Sequence, residues 1–134
     1  MNNQEIIKSL EAIIESLKTE QETTTFDFGN GPVPAHRHKN PDGSIGGWVA
    51  NTAYVADTAY IGEDALVYGN AKVFGYAKVY DSTKVFGNAK VYDYARVYDN
   101  ARVFGTALVY GNAWVHGTAM VCDYAEVCGV EEVN

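Results

Sequence analysis

Cysteine and proline are scarce in this sequence of 134 residues, with two and three copies. Cys122 and Cys128 are too few for the disulfide framework that holds small secreted domains together, so both are expected as free thiols. Basic charge is also short: ten Lys and Arg face 17 Asp and Glu, a net charge of −7. That argues against general nucleic-acid binding, which needs a basic face to displace counterions, but it leaves room for a small basic pocket. No apolar run approaches the ~20 residues needed to cross a membrane. The N-terminal stretch MNNQEIIKSLEAI carries acidic residues and no long apolar core, so no signal peptide is expected and the reading is cytoplasmic.

Glycine and tyrosine are plentiful instead, at 13 and ten, a bias that points to a repeated motif. The chain divides into three segments. Over residues 1–20, Ile6, Leu10, Ile13 and Leu17 recur at helical spacing, with Ile7 and Ile14 widening the stripe. Asn2 and Glu5 make a capping-box-like start. This predicts an amphipathic α-helix that needs a partner for its stripe. A coiled coil joining subunits is preferred over a helix folded back on the domain, and Ile on both sides of the seam favours three chains. Residues 21–48 hold all three prolines and the turn signal Asn40-Pro41-Asp42-Gly43. They are expected to form an ordered connector, without regular elements, that caps the C-terminal segment.

Residues 49–134 repeat with a period of six. From VANTAY at Val49 to VCGVEE at Val127 there are 14 uninterrupted hexads. The first position is Val in 13 of them and Ile61 in the other, and the fifth is Ala in 12, Thr83 in one and Glu131 in the last. In a strand, residues two apart share a face. Ala71 and Val73 therefore point one way, inward, and Lys72 and Phe74 the other. Gly or Asp followed by Asn, Thr or Tyr makes a corner. Each hexad is one short strand and one corner.

This pattern resembles the hexapeptide-repeat family, over about two-thirds of the chain. The connector PAHRHKNPDGSIGGWVA with its adjoining Tyr-Gly-Asn-Ala repeats is also similar to small solenoid proteins of phages and bacteria. The resemblance implies an all-β solenoid, a left-handed parallel β-helix of under five triangular coils, assembled as a homotrimer; a second trimer packed end to end at the last coil would make a hexamer. It also implies what an enzyme of this family would use: acyl-CoA and a histidine base.

Three hexads per coil stack residues 18 apart. Face one then carries Leu66, Lys84, Arg102 and Met120 beside Tyr68, Phe86, Phe104 and Cys122. Face two carries Tyr54, Lys72, Lys90, Leu108 and Glu126 beside Phe74, Tyr92, Tyr110 and Cys128. Face three carries Tyr60, Lys78, Arg96, Trp114 and Glu132 beside Tyr80, Tyr98 and His116. Outward aromatics in this number suggest self-association, with face one as the expected subunit contact. Inward Glu131 is expected to stop the stack.

His116 is the solenoid's one histidine and the single candidate catalytic base. No loop interrupts the hexads beside it, so an acyltransferase is the alternative reading, and a purely structural module is another. His36 and His38 sit too far along the chain from His116 to share a zinc ion, and no metal or cofactor is expected. The preferred function is a non-catalytic homotrimer that sequesters a small anionic, nucleotide-like ligand, since rings stack on bases and cations hold phosphates. Lys78, Tyr80, Arg96, Tyr98 and Trp114 form one candidate site. His36, Arg37, His38 and Lys39 form a second basic cluster.

Overall fold

The computed structural model describes Asn3, Ile6, Ile7, residues 24–129 and residues 131–134. The expected helix over residues 1–20 lies almost wholly outside that set. Of it, Asn3, Ile6 and Ile7 have helical backbone and are exposed.

From Thr24 onward the described chain is all β, a parallel solenoid of about five turns. After β1 (Thr25–Asp27), β2 (Pro32–Lys39) and β3 (Ile45–Ala50) come two-residue strands, numbered in chain order and dealt in rotation to three sheets. The first sheet continues from β3 through β6 (Leu66–Val67), β9 (Lys84–Val85), β12 (Arg102–Val103) and β15 (Met120–Val121). The second stacks β4 (Tyr54–Val55), β7 (Lys72–Val73), β10 (Lys90–Val91), β13 (Leu108–Val109) and β16 (Glu126–Val127). The third stacks β5 (Tyr60–Ile61), β8 (Lys78–Val79), β11 (Arg96–Val97), β14 (Trp114–Val115) and β17 (Glu132–Val133). Every solenoid pair is parallel with partners 18 residues apart, such as Lys72 with Lys90 and Lys78 with Arg96. Three hexads therefore make one coil.

The period-two alternation explains the core. Val67, Val73, Val79 and the successive valines up to Val115 have no exposed surface, and Ala65 to Ala113 line the spaces between them. Branched and small side chains alternate along the lumen and fill it. Backbone polarity is settled coil by coil. Lys72 N–H donates to Ala89 C=O at 2.9 Å, Phe74 to Val91 at 3.0 Å and Tyr76 to Asp93 at 2.8 Å, and equivalent bonds recur through the later hexads.

The corners require a left-handed residue. Gly69, Gly75, Gly87, Gly105, Gly111, Gly117 and Gly129 have φ between 65° and 68°, and Asp81, Asp93, Asp99 and Asp123 between 57° and 62°. Glycine adopts that conformation without steric penalty. Aspartate is tolerated because its short carboxylate can hydrogen-bond nearby backbone. Asp81, Asp93 and Asp99 accept the N–H of Asp99, Gly111 and Gly117, one coil along, at 2.9 to 3.1 Å.

The expectation that residues 21–48 lack regular elements is corrected. β1, β2 and β3 form an antiparallel meander, and β3 then joins β6 in parallel. Proline does not prevent this: Pro32 opens its strand, and Pro34 serves as an acceptor, its carbonyl taking the Asn51 N–H at 2.9 Å. Gly46 and Gly47 let β3 press onto the first coil. A Cβ on either would lie 2.1 Å from the Ile61 carbonyl oxygen or 1.9 Å from that of Ala65. At the other end Glu131, expected to point inward, is exposed.

Candidate functional site

Outward positions form continuous ladders. On face one Phe28, Tyr68, Phe86 and Phe104 stack with ring centroids 4.8 to 4.9 Å apart. On face two Phe74, Tyr92 and Tyr110 do so at 4.8 and 5.1 Å. On face three Tyr80, Tyr98 and His116 do so at 5.2 and 5.1 Å. The spacing is close to that of neighbouring strands, ~4.8 Å, so the backbone sets the ladder and near-parallel rings result.

Face three departs from a plain ladder. Its central column, Tyr60, Lys78, Arg96, Trp114 and Glu132, is flanked on one side by Tyr80 and Tyr98. On the other side a second tyrosine pair, Tyr76 and Tyr94, stacks at 5.4 Å from the fourth position of the preceding corner. These rings are mostly exposed, at 58% and 61%. They stand as a wall, and the cation column becomes the floor of a groove. Two open cavities occupy it. The lower, about 530 Å³, lies among Tyr60, Tyr76, Lys78, Tyr80 and Arg96, with Pro41 and Asp42 of the β2–β3 turn at its foot. The upper, about 490 Å³, lies among Tyr94, Arg96, Asn112, Trp114 and Glu132. The Arg96 guanidinium carbon is 5.6 Å from the Trp114 ring centre, within cation–π range.

Among the described residues no lysine or arginine forms an ion pair with a carboxylate; the ion pairs present belong to His116. Lys78 and Arg96 are thus exposed and uncompensated, in a chain of net charge −7. Burial, and then neighbouring Tyr98, push the Tyr80 hydroxyl above its ordinary value despite Arg96, so Tyr80 is neutral and presents a ring and a hydrogen-bond donor. At the foot, the Ser44 hydroxyl and N–H donate to Asp42 Oδ1 at 2.6 and 2.9 Å and hold its carboxyl below the usual range.

The structure brings Lys78, Tyr80, Arg96, Tyr98 and Trp114 to one face. It does not bring His36, Arg37, His38 and Lys39 to one place, because a register shift between Arg37 and Lys39 breaks the alternation of β2 and buries His38 while the other three stay exposed. Arg37 donates to Gly46 C=O at 2.9 Å and lies 5.8 Å from the Trp48 ring. His36 pairs with Asn51 at 2.8 Å, and Lys39 is exposed. His38 is buried, its Nε2 donating to Ala59 C=O at 2.8 Å. His38 thus stands apart from the other three and seals the first coil. Asn40 works beside it. Its side chain accepts the Ile61 N–H at 2.8 Å and donates to Ile61 C=O at 3.0 Å. In later coils the equivalent carbonyls, of Ala77 and Val79, accept N–H groups from the coil below. His38 and Asn40 substitute for that missing coil.

His116 is held on both sides. Nε2 lies 2.6 Å from Glu132 Oε1 and Nδ1 lies 3.7 Å from Asp99 Oδ2, with the ring stacked on Tyr98. A histidine base can have one nitrogen oriented by a carboxylate but needs the other facing its substrate; here Nε2 faces Glu132 and Nδ1 faces Asp99. Sequence reasoning missed Tyr76, Tyr94, Asn112 and Asp42 as groove residues. The signal available was the 18-residue separation of Tyr76 from Tyr94, at a corner position given mostly to Asn, Thr and Ser.

The architecture defines the class: a parallel β-solenoid built from hexads. Within it, the family model described as the YdcK beta solenoid repeat matches residues 95–108, the hexads that carry Arg96 and Tyr98. No curated protein and no solved structure matches the chain significantly.

Proposed function

We propose that this protein is a non-catalytic, cytoplasmic homotrimer that binds, and so sequesters, a small anionic, nucleotide-like ligand in the groove of face three. One observation carries the reading. Lys78 and Arg96 are neighbouring cations without carboxylate partners, set between two tyrosine walls and capped by Trp114. Cations of that kind attract phosphate, and exposed rings stack on heterocycles at about 1–3 kcal/mol per base. Among the described residues no other face combines an unpaired cation column with walls on both sides. Carboxylates beside both His116 nitrogens, with the ring stacked on Tyr98, support a binding role over the acyltransferase alternative. Subunits meet on face one, through Leu66, Met120 and the Phe86–Phe104 ladder, which leaves face three open. Among the described residues no helix is long and apolar enough to cross a membrane.

Native mass spectrometry of the gently purified protein tests this. The expected result is a mass of three chains, or six, with added small-molecule mass that Arg96→Ala and Lys78→Ala each remove. A ligand-free assembly that also binds no added nucleotide in calorimetry overturns the reading and leaves a structural module.

A further inference from the structure

The two cavities of face three share Arg96, and their charges are ordered. From the foot upward the groove presents the Asp42 carboxylate, then Lys78 and Arg96, then the Glu132 carboxylate. Arg96 lines both cavities, so one guanidinium faces ligand on either side. Each cavity has its own aromatic surface. Tyr60, Tyr76 and Tyr80 serve the lower one, and Tyr94 and Trp114 the upper one. From Lys78 to Trp114 is two coil steps, about 10 Å at the usual strand spacing. The outermost groups are acceptors. The Ser44 bonds to Asp42 both use Oδ1, and the His116 bond to Glu132 uses Oε1, so each carboxylate keeps a second oxygen. Asn112 adds an amide at the upper end.

We infer that the ligand is bipartite: two amino-bearing aromatic heterocycles joined through a phosphodiester or diphosphate, the phosphate on Lys78 and Arg96 and one ring in each cavity. This rests on the binding reading above and narrows it. A single nucleotide reaches the shared cations and one aromatic surface and leaves the other unused. A second ring linked through the same phosphate adds its stacking without a second loss of translational freedom, which raises affinity by orders of magnitude. The flanking carboxylates complement exocyclic amino groups and repel a further anion at either end, so a linear triphosphate is a poor fit for the same groove.

The test is calorimetric titration of the full-length protein with adenosine monophosphate and with diadenosine diphosphate. The expected result is affinity at least tenfold higher for the two-base compound. Trp114→Ala, an exposed position, closes the gap between the two ligands, and Arg96→Ala weakens both. Lys84→Ala, on face one, leaves both unchanged. Equal affinity for the two compounds overturns the bipartite inference and leaves the anion site standing. Failure of both to bind overturns the anion site and the inference together.

Discussion

Asn40→Ala tests whether the solenoid depends on its first-coil seal. Asn40 is 3% exposed, and its side chain is the partner of both the N–H and the C=O of Ile61, a residue with no exposed surface. Truncation removes both bonds and leaves two backbone groups facing a small apolar gap. An unsatisfied buried group costs about 1–3 kcal/mol, so the pair costs about 2–6 kcal/mol. That is a large fraction of the ~5–15 kcal/mol by which a domain of this kind is stable. At roughly 4 °C per kcal/mol, Tm falls by about 8–24 °C. Circular dichroism melts measure the loss, and amide hydrogen exchange locates it, with Ile61 the residue whose protection drops most. Asn40→Asp gives an independent check. It keeps the acceptor for Ile61 N–H but turns an oxygen toward Ile61 C=O, so at neutral pH it is no more stable than the alanine variant. It regains stability as the pH falls and the carboxyl is protonated. An Asn40→Ala protein that melts within about 2 °C of the parent, with Ile61 exchange unchanged, would refute the argument that this side chain takes the place of a coil.

The remaining predictions concern corners, ladders and core. Gly87 has φ of 68°, and a Cβ there would sit 2.9 Å from the Gly105 backbone nitrogen. Gly87→Ala therefore lowers stability by about 1–2 kcal/mol. Gly87→Asp lowers it less, because its carboxylate can accept the Gly105 N–H as Asp93 accepts that of Gly111; denaturant melts give the order, and the reverse order refutes it. A hydrogen bond to Cys128, with that thiol's charge and Glu126, pushes the Tyr110 hydroxyl up to about 12, and burial raises Tyr68 and Tyr92. The fold thus holds these protons more tightly than the unfolded chain does. Stability is fully present below pH ~10 and is lost as the pH rises through the folded-state values toward about 12. Absorbance at 295 nm should show Tyr110 titrating earlier in Cys128→Ala, and a Tm indifferent to pH across that window counts against the ladder account. Val91→Ala removes two buried methyl groups from the middle coil and costs about 2–3 kcal/mol from transfer and cavity together, which denaturant melts measure.

The period of six made the core legible, because burial in a solenoid has the same cause at every coil. Alternation assigned Val and Ala inward; the three hexads per coil, and with them the 18-residue register, the faces and the ladders, were implied by the resemblance to hexapeptide-repeat proteins, and the strand pairs agree at each step. The same regularity hid what is not repeated. His38 and Asn40 find their partners 21 residues away, in a coil edge that exists only after folding, and nothing in the connector marks them as different from His36 or Lys39. Thr83 reads as a flaw in the alanine column. Its hydroxyl in fact donates to Tyr80 C=O at 2.7 Å, the acceptor that a backbone N–H uses in the neighbouring hexads. Inward and corner positions are committed to holding the coil together, so function has only the second, fourth and sixth positions to vary. There the repeat is broken most densely on face three. Tyrosine at the fourth position of two successive coils builds a wall, tryptophan ends the cation column, and a carboxylate closes it. The proposed ligand site rests on these departures, and not on the repeat, because holding the coil together does not require them.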